Sequence, residues 1–198
     1  MKGLFRGRGS LESRPGAGKH CFAFCRSVDS RSFDEATNER IRQKQYRLAF
    51  LTDGVRNTQP SQLGVYDAFV KDQANQSPEL AKLGAMWAAI ASTSAPDPDV
   101  SAKDNTGTNP DSGDLSVPVY NLLGQRIADG NSDLWDGSLD APIVADQFGN
   151  LRSERLVVTG TLPEGSSSPK TPMGRTQVAA GLTHLVDNSW VHDRHATG

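Results

Sequence analysis

The sequence predicts an α+β fold built from short strands, two short helices and long loops. Two observations favour this class. The 198 residues include 19 Gly and 11 Pro, which indicates many turns rather than long helices. Short apolar runs of strand type flank two stretches with helical periodicity. At this length the prediction is one folded unit with a single core.

Residues 1–45 differ from the rest of the chain. They are rich in Arg, Gly and Ser and show no hydrophobic period, so we predict that they are disordered or mis-assigned. A short polar helix over residues 34–45 is the one element expected there. The predicted domain is therefore 46–198.

Charge divides the chain in the same way. Residues 1–50 carry 11 Lys/Arg and 5 Asp/Glu, whereas residues 51–198 carry 10 and 18. An acidic body argues against a nucleic-acid partner, because binding to phosphates needs a concentrated positive face. It is compatible with a divalent cation or a neutral ligand. Cys21 and Cys25 are too few for a zinc site, and no apolar run is long enough to span a membrane.

The first half of the predicted domain contains a strand, two helices and another strand. The run from Tyr46 to Leu51 alternates and then becomes apolar, which is typical of a strand. A first helix, capped by Ser61, places its apolar residues on one face, and a second begins at Ser77 with Pro in its first turn. A further strand is expected over Trp87–Ala91. We expect the core to form around four aromatic residues, Tyr66, Phe69, Trp87 and Trp135.

Residues 92–116 form a long polar stretch without apolar periodicity, which predicts a loop. Loops of this length within a domain tend to be functional or disordered. Four residues of this loop could supply oxygen ligands: Asp97, Asp99, Asp104 and Asn105. The alternative is a solvated loop.

Residues 117–122 and 125–128 predict a hairpin, and an acidic loop from Asp129 to Asp140 follows it. The loop resembles the calcium loop of helix-loop-helix proteins at its first, third, fifth and twelfth positions, Asp129, Asn131, Asp133 and Asp140. Leu134 stands where that loop needs Gly, and Asp140 is shorter than Glu, so the specific motif is rejected. A looser calcium site and a set of turn-capping side chains both remain open.

The last part of the chain predicts one more strand, over residues 156–159. Residues 177–198 contain Trp190 and three of the four histidines. His192-Asp193-Arg194-His195 suggests a metal, and surface histidines are the plainer interpretation.

From Tyr46 onward, a series of short motifs resembles bacterial exported proteins of the PEP-CTERM type and, more distantly, endostatin-like surface proteins with a C-type-lectin-like fold. About three quarters of the chain is covered. The motifs are residues 48–54, 87–93, 103–108, 117–120, 126–129, 133–138, 158–161 and 189–191. The resemblance implies a mixed antiparallel sheet of the lectin type, export, and a role at the cell surface or in the extracellular matrix.

This chain departs from that pattern in three ways. The disulfides usual in the lectin-like fold cannot form, residues 1–45 do not look like a leader, and the chain stops at Gly198, where such proteins continue into a last strand and a sorting tail. Our hypothesis for both ends is a misplaced start or a truncated gene. If Gly198 is the true end, we expect an open sheet edge.

These features lead to two functional hypotheses of different classes. The first is a non-catalytic binding module for a glycan or matrix ligand, assisted by calcium. It would contact the ligand through Asp104, Asn105, Trp135 and Asp136 and hold calcium through Asp129, Asn131, Asp133 and Asp140. The second is a glycan hydrolase with a carboxylate pair such as Asp133 and Asp136. A purely structural matrix protein is a further alternative.

Overall fold

The computed structural model describes residues 18–26, 45–94 and 99–197. Strands and short helices alternate along the chain. In order they are β1 (Phe22–Cys25), β2 (Arg47–Leu51), α1 (Leu63–Asn75), α2 (Pro78–Lys82), β3 (Trp87–Ala89), α3 (Ala102–Thr106), β4 (Val119–Asn121), β5 (Arg126–Ala128), α4 (Asn131–Leu134), β6 (Leu156–Val158), β7 (Gln177–Leu182), a 3₁₀ turn (Asn188–Trp190) and β8 (Arg194–Thr197). The protein thus has mixed α and β content.

The larger sheet has five strands in the order β3-β1-β2-β4-β5. Its neighbours are antiparallel except β2 and β4, which run parallel with Leu48 opposite Tyr120. The predicted hairpin is confirmed as β4 and β5. The strand predicted from Tyr46 is confirmed as β2, and the one predicted from Trp87 as β3.

Strand β1 lies inside this sheet, between β3 and β2. The prediction that residues 1–45 are disordered and that the domain starts at 46 is therefore wrong for residues 18–26. All four residues of β1 are buried, with Phe22 and Phe24 in one core and Ala23 and Cys25 in the other. A strand buried on both faces shows no polar-apolar alternation, so its pattern is hidden. The predicted helix at 34–45 lies almost wholly outside the described residues.

Both predicted helices of the first half are confirmed. In α1 the buried residues Leu63, Tyr66 and Val70 recur at helical spacing and face the sheet. Its N-cap is Gln62, which makes no side-chain capping bond, so the prediction of Ser61 as the cap is wrong. Ser77 caps α2, because its hydroxyl accepts a hydrogen bond from the backbone N–H of Leu80.

The stretch predicted as a loop over residues 92–116 contains a helix, α3. Ser101 caps it by accepting from the backbone N–H of Asp104, and Gly107 ends it in the left-handed conformation. Residues 95–98, with the predicted ligand Asp97, lie outside the described residues. The prediction of an irregular loop is therefore wrong for its central part.

The smaller sheet consists of β6, β7 and β8, paired antiparallel in that order. The predicted strand over residues 156–159 is confirmed as β6. A bridge between His20 and Val157 joins this sheet to the segment that leads into β1. The backbone N–H of Ser92 also donates to the carbonyl of Thr159, at 2.8 Å. The residues before β1 and after β3 therefore link the two sheets.

Two hydrophobic clusters lie on opposite faces of the larger sheet. One contains Tyr66 and Trp87, with Phe69 partly buried against it, and the other contains Trp135 and Trp190. Tyr66, Trp87 and Trp135 are thus confirmed as core residues, but they lie in two clusters rather than in the single core that was predicted. Within the described ranges, no helix has the length and apolar character needed to cross a membrane.

Candidate functional site

Arg126 engages two of the carboxylates predicted as calcium ligands. Its Nη1 lies 3.1 Å from Asp129 Oδ1, and its Nε lies 2.9 Å from Asp140 Oδ2. The guanidinium thus supplies the positive charge that a cation would bring to this pair. Arg126 is the first residue of strand β5, and sequence reasoning had not paired it with either aspartate.

The other two predicted ligands stabilise the local backbone. Asp133 Oδ2 accepts from the backbone N–H of Asp129 at 2.7 Å. Asn131 is buried, and its Nδ2 donates to the carbonyl of Asp114 at 3.3 Å. In the parts of the chain that the structure describes, no three His, Cys, Asp or Glu side chains gather as a metal site. Protein groups thus engage all four side chains, and the calcium site at Asp129, Asn131, Asp133 and Asp140 stays a prediction.

Trp135 and Asn105, predicted to contact a ligand, belong to the core. Both are only 6% exposed. The indole Nε1 of Trp135 donates to Thr108 Oγ1 at 2.9 Å. The Asn105 amide donates to Asp67 Oδ1 and to the carbonyl of Ala89, both at 2.9 Å. Their low exposure gives no support to contact with a ligand from solvent, and that part of the site stays a prediction.

Asp104 and Asp136, the other two predicted ligand contacts, are exposed. The carboxylate of Asp104 accepts from the Ser101 hydroxyl and from Asn109 Nδ2, and the hydrogen bond from Ser101 lowers its pKa. Asp136 Oδ1 accepts from the backbone N–H and hydroxyl of Ser138, at 2.8 and 3.0 Å. Both side chains thus already stabilise the turns that contain them.

Arg47 attaches the stretch after α3 to the larger sheet, a role that the sequence did not reveal. The side chain is 4% exposed, and burial lowers its pKa. Its Nη1 and Nη2 donate to the carbonyls of Thr106 and Leu115, each at 2.9 Å, and its guanidinium lies 5.7 Å from the ring centre of Phe24. These charged hydrogen bonds fix the position of the chain between Thr106 and Leu115.

A groove of about 790 Å³ opens on the α1 side of the larger sheet, at the β2–β4 end. Its volume is typical of small-molecule sites, about 300–1,000 Å³. We call it the tyrosine groove, and its lining residues are Gln45, Tyr46, Leu48, Pro118, Tyr120, Asn121, Leu122 and Gly124. Helix α1 packs mainly against β3 and β1, which leaves this end of the sheet face free of that helix.

Strand alternation explains why these side chains share one face. Tyr46 and Leu48 are two residues apart, as are Tyr120 and Leu122, and Leu48 is paired with Tyr120 across the parallel strands. The two tyrosine rings meet edge to face, with centroids 6.2 Å apart and planes at 86°. The two half-buried rings form a corner, in which one ring presents its face and the other its edge.

Polar groups in the tyrosine groove are few and uncharged. Neither tyrosine hydroxyl hydrogen-bonds to another residue within the described ranges. The amide of Asn121, in contrast, is fully used. It accepts from the backbone N–H groups of Leu123 and Gln125 and donates to the Gln125 side chain and the Pro142 carbonyl. Among the described residues, the two hydroxyls therefore leave their hydrogen-bonding capacity unused, whereas Asn121 shapes the wall.

The tyrosine groove contains none of the residues predicted from the sequence as ligand contacts. Asp133 and Asp136, the proposed hydrolytic pair, do not line it either. The sequence contains both tyrosines, but their proximity follows from the register between β2 and β4. Sequence reasoning could therefore not identify the groove. No protein-family model, curated protein or solved structure matches this chain.

Proposed function

We propose that the protein is an exported, non-catalytic binding module with a C-type-lectin-like fold, which holds a neutral glycan or matrix ligand in the tyrosine groove. The observation that carries the proposal is the corner formed by Tyr46 and Tyr120. The C–H face of a pyranose ring is apolar and packs on an aromatic ring, while its hydroxyls need hydrogen-bonding partners. The groove offers two aromatic rings and two hydroxyls that have no hydrogen-bond partner in the part of the chain that the structure describes.

The lack of charge in the groove supports a neutral ligand. None of the eight lining residues is ionisable near neutral pH, and the body of the chain carries 18 acidic against 10 basic residues. A uronic acid or a sulfated sugar would have to leave water without a cationic partner in the groove. A neutral hexose has no such desolvation cost.

Export is proposed from the series of motifs that resembles PEP-CTERM-type proteins, and these motifs lie in both sheets. The proposal does not require calcium, because Arg126 already engages Asp129 and Asp140. Fractionation of intact source cells, followed by protease treatment from outside, tests the location. A protein that stays protected until lysis would refute export and would leave the groove proposal to its own test.

Binding is tested by titrating neutral and anionic oligosaccharides into the purified chain by calorimetry. We expect Tyr120→Ala to weaken binding of a neutral oligosaccharide by about tenfold or more, because it removes the aromatic wall. Tyr120→Phe keeps the ring and removes one hydrogen bond of about 1 kcal/mol, so a loss of about fivefold is expected. Phe148→Ala is the matched control, since Phe148 is half-exposed and outside the groove.

Two results would contradict the proposal. Wild-type affinity in Tyr120→Ala would exclude the groove as the site. If a chelator abolished binding of the oligosaccharide and Asp140→Asn had the same effect, the binding site would be the acidic loop from Asp129 to Asp140.

A further inference from the structure

His192 and His195 lie next to one another at the turn into β8. The backbone there is well fixed, because His192 N–H donates to the carbonyl of Asn188 and Asp193 N–H donates to that of Ala180, at 3.1 and 2.8 Å. His195 is paired with Ala179 in the central strand of the smaller sheet. The two histidines are therefore held by the β7–β8 ladder rather than by a free chain end.

The two imidazole rings are close neighbours and are tilted against each other. Their centroids are 6.0 Å apart, with ring planes inclined at 58°. Neither ring hydrogen-bonds to another residue in the described parts of the chain. His192 is half-buried and His195 is exposed, so solvent reaches the pair. In contrast, His20 has a partner, since its Nδ1 lies 2.8 Å from the carbonyl of Thr52.

We propose that His192 and His195 form a two-histidine site for a divalent transition metal of the zinc class. Imidazole nitrogen suits zinc, copper and nickel, whereas calcium prefers oxygen. Zinc–nitrogen bonds of about 2.1 Å in tetrahedral geometry place two ring centres about 5 Å apart. The 6.0 Å separation differs from this by about 1 Å, which side-chain rotation can supply.

The surroundings favour a cation at this pair. Glu164 and Asp193 are close enough to His192 to interact with it electrostatically. Asp193 also pairs with Arg194. Within the described residues no third metal-binding side chain completes the set, so water fills the remaining positions. Such an open site binds more weakly than a closed structural zinc site and exchanges its metal readily.

The test is calorimetric titration of zinc chloride into the full chain, without a tag and freed of metal by chelator, at pH 7.5. We expect one zinc per chain, with affinity reduced about tenfold or more in His192→Ala and in His195→Ala. His184→Ala is the matched control, because His184 is an exposed histidine on the turn after β7. Circular dichroism of each variant verifies that it is folded.

Thermal unfolding gives a second measurement. Zinc should raise the midpoint of the wild-type protein and of His184→Ala, because a ligand bound only to the native state stabilises it. Calcium should not. Absence of zinc binding by the wild type, or unchanged affinity in the double variant His192→Ala/His195→Ala, would overturn the proposal.

Discussion

Replacing Phe24 with alanine tests whether the segment before Tyr46 is part of the folded core. Phe24 is 0% exposed and lies in the middle of β1, with Arg47 over its ring. Removing a fully buried phenylalanine costs about 3–5 kcal/mol, because apolar burial is lost and a cavity remains. The total stability of a domain is about 5–15 kcal/mol, so the variant should lose a large part of it.

Urea unfolding followed by tryptophan fluorescence measures this loss. The free energy of unfolding falls by about 2 kcal/mol per molar of urea, so the urea concentration at the unfolding midpoint should fall by about 2 M. Phe148→Ala is the matched control, because Phe148 is half-exposed and its truncation should change the free energy of unfolding by less than about 1 kcal/mol.

A disordered N-terminal segment would give a different result. Both variants would then unfold within about 1 kcal/mol of the wild type, and that outcome would refute the placement of β1. A chain that begins at Tyr46 gives an independent measurement. It lacks Phe22 and Phe24 and both of their strand pairings, so we expect no cooperative unfolding transition.

Three further predictions concern buried groups. Hydrogen bonds from Asn150, Phe148 and Arg152 outweigh burial and hold the pKa of Asp146 below its usual range. Asp146→Asn should therefore lower the free energy of unfolding by about 2–3 kcal/mol at pH 7. In urea titrations the difference from the wild type should shrink as the pH falls below about 4 and through the pKa of Asp146 in the folded state, because the carboxylate then becomes protonated. Burial raises the pKa of Cys21 to about 12, so iodoacetamide at pH 8 should label this thiol only after unfolding, as mass spectrometry can verify. Gly181→Ala should destabilise the protein severely, because the added Cβ would lie 1.9 Å from the Trp190 carbonyl oxygen. In contrast, the Cβ added by Gly64→Ala in α1 would meet no atom within 4 Å. That change should stabilise the protein by about 0.5–1 kcal/mol in the same urea assay. Equal effects of the two glycine changes, rapid labelling of native Cys21, or a pH-independent effect of Asp146→Asn would each contradict the corresponding argument.

Elements with a strong local signal could be predicted from the sequence. Helix α1 shows helical spacing of its apolar residues, and α2 has a serine cap followed by proline. Strand β2 ends in a long apolar run. In these segments local preference and tertiary packing agree, so a short window of sequence is sufficient.

Elements defined mainly by distant partners could not be predicted. Strand β1 has only four residues, and both of its faces are covered by parts of the chain that come later. Strand β7, rich in Ala and Gly, has no aromatic signal, and Gly181 is required there because the backbone at Trp190 approaches closely. Short, small-residue strands owe their position to their neighbours in the sheet.

The candidate site illustrates the same limit. The sequence pattern identifies Asp129 and Asp140 as potential ligands but does not show that Arg126 engages both carboxylates. It also led to two roles for Trp135, as a core residue and as a ligand contact, and only the first fits a side chain that is 6% exposed. Tyr46 and Tyr120 come together because strands about 70 residues apart in the chain pair in parallel, and no local pattern reveals that pairing.

The central position of β1 has a consequence for synthesis on the ribosome. Among the described strands β1 is made first, yet one of its two neighbours, β3, is made more than 60 residues later. Val157, which bridges to His20 just before the strand, is made more than 130 residues later. Until then a four-residue apolar segment with an unpaired backbone stays in water, where it can pair with another nascent chain. Folding must therefore wait for distant contacts to close, and the protein should fold slowly and depend on chaperones that shield its first strand.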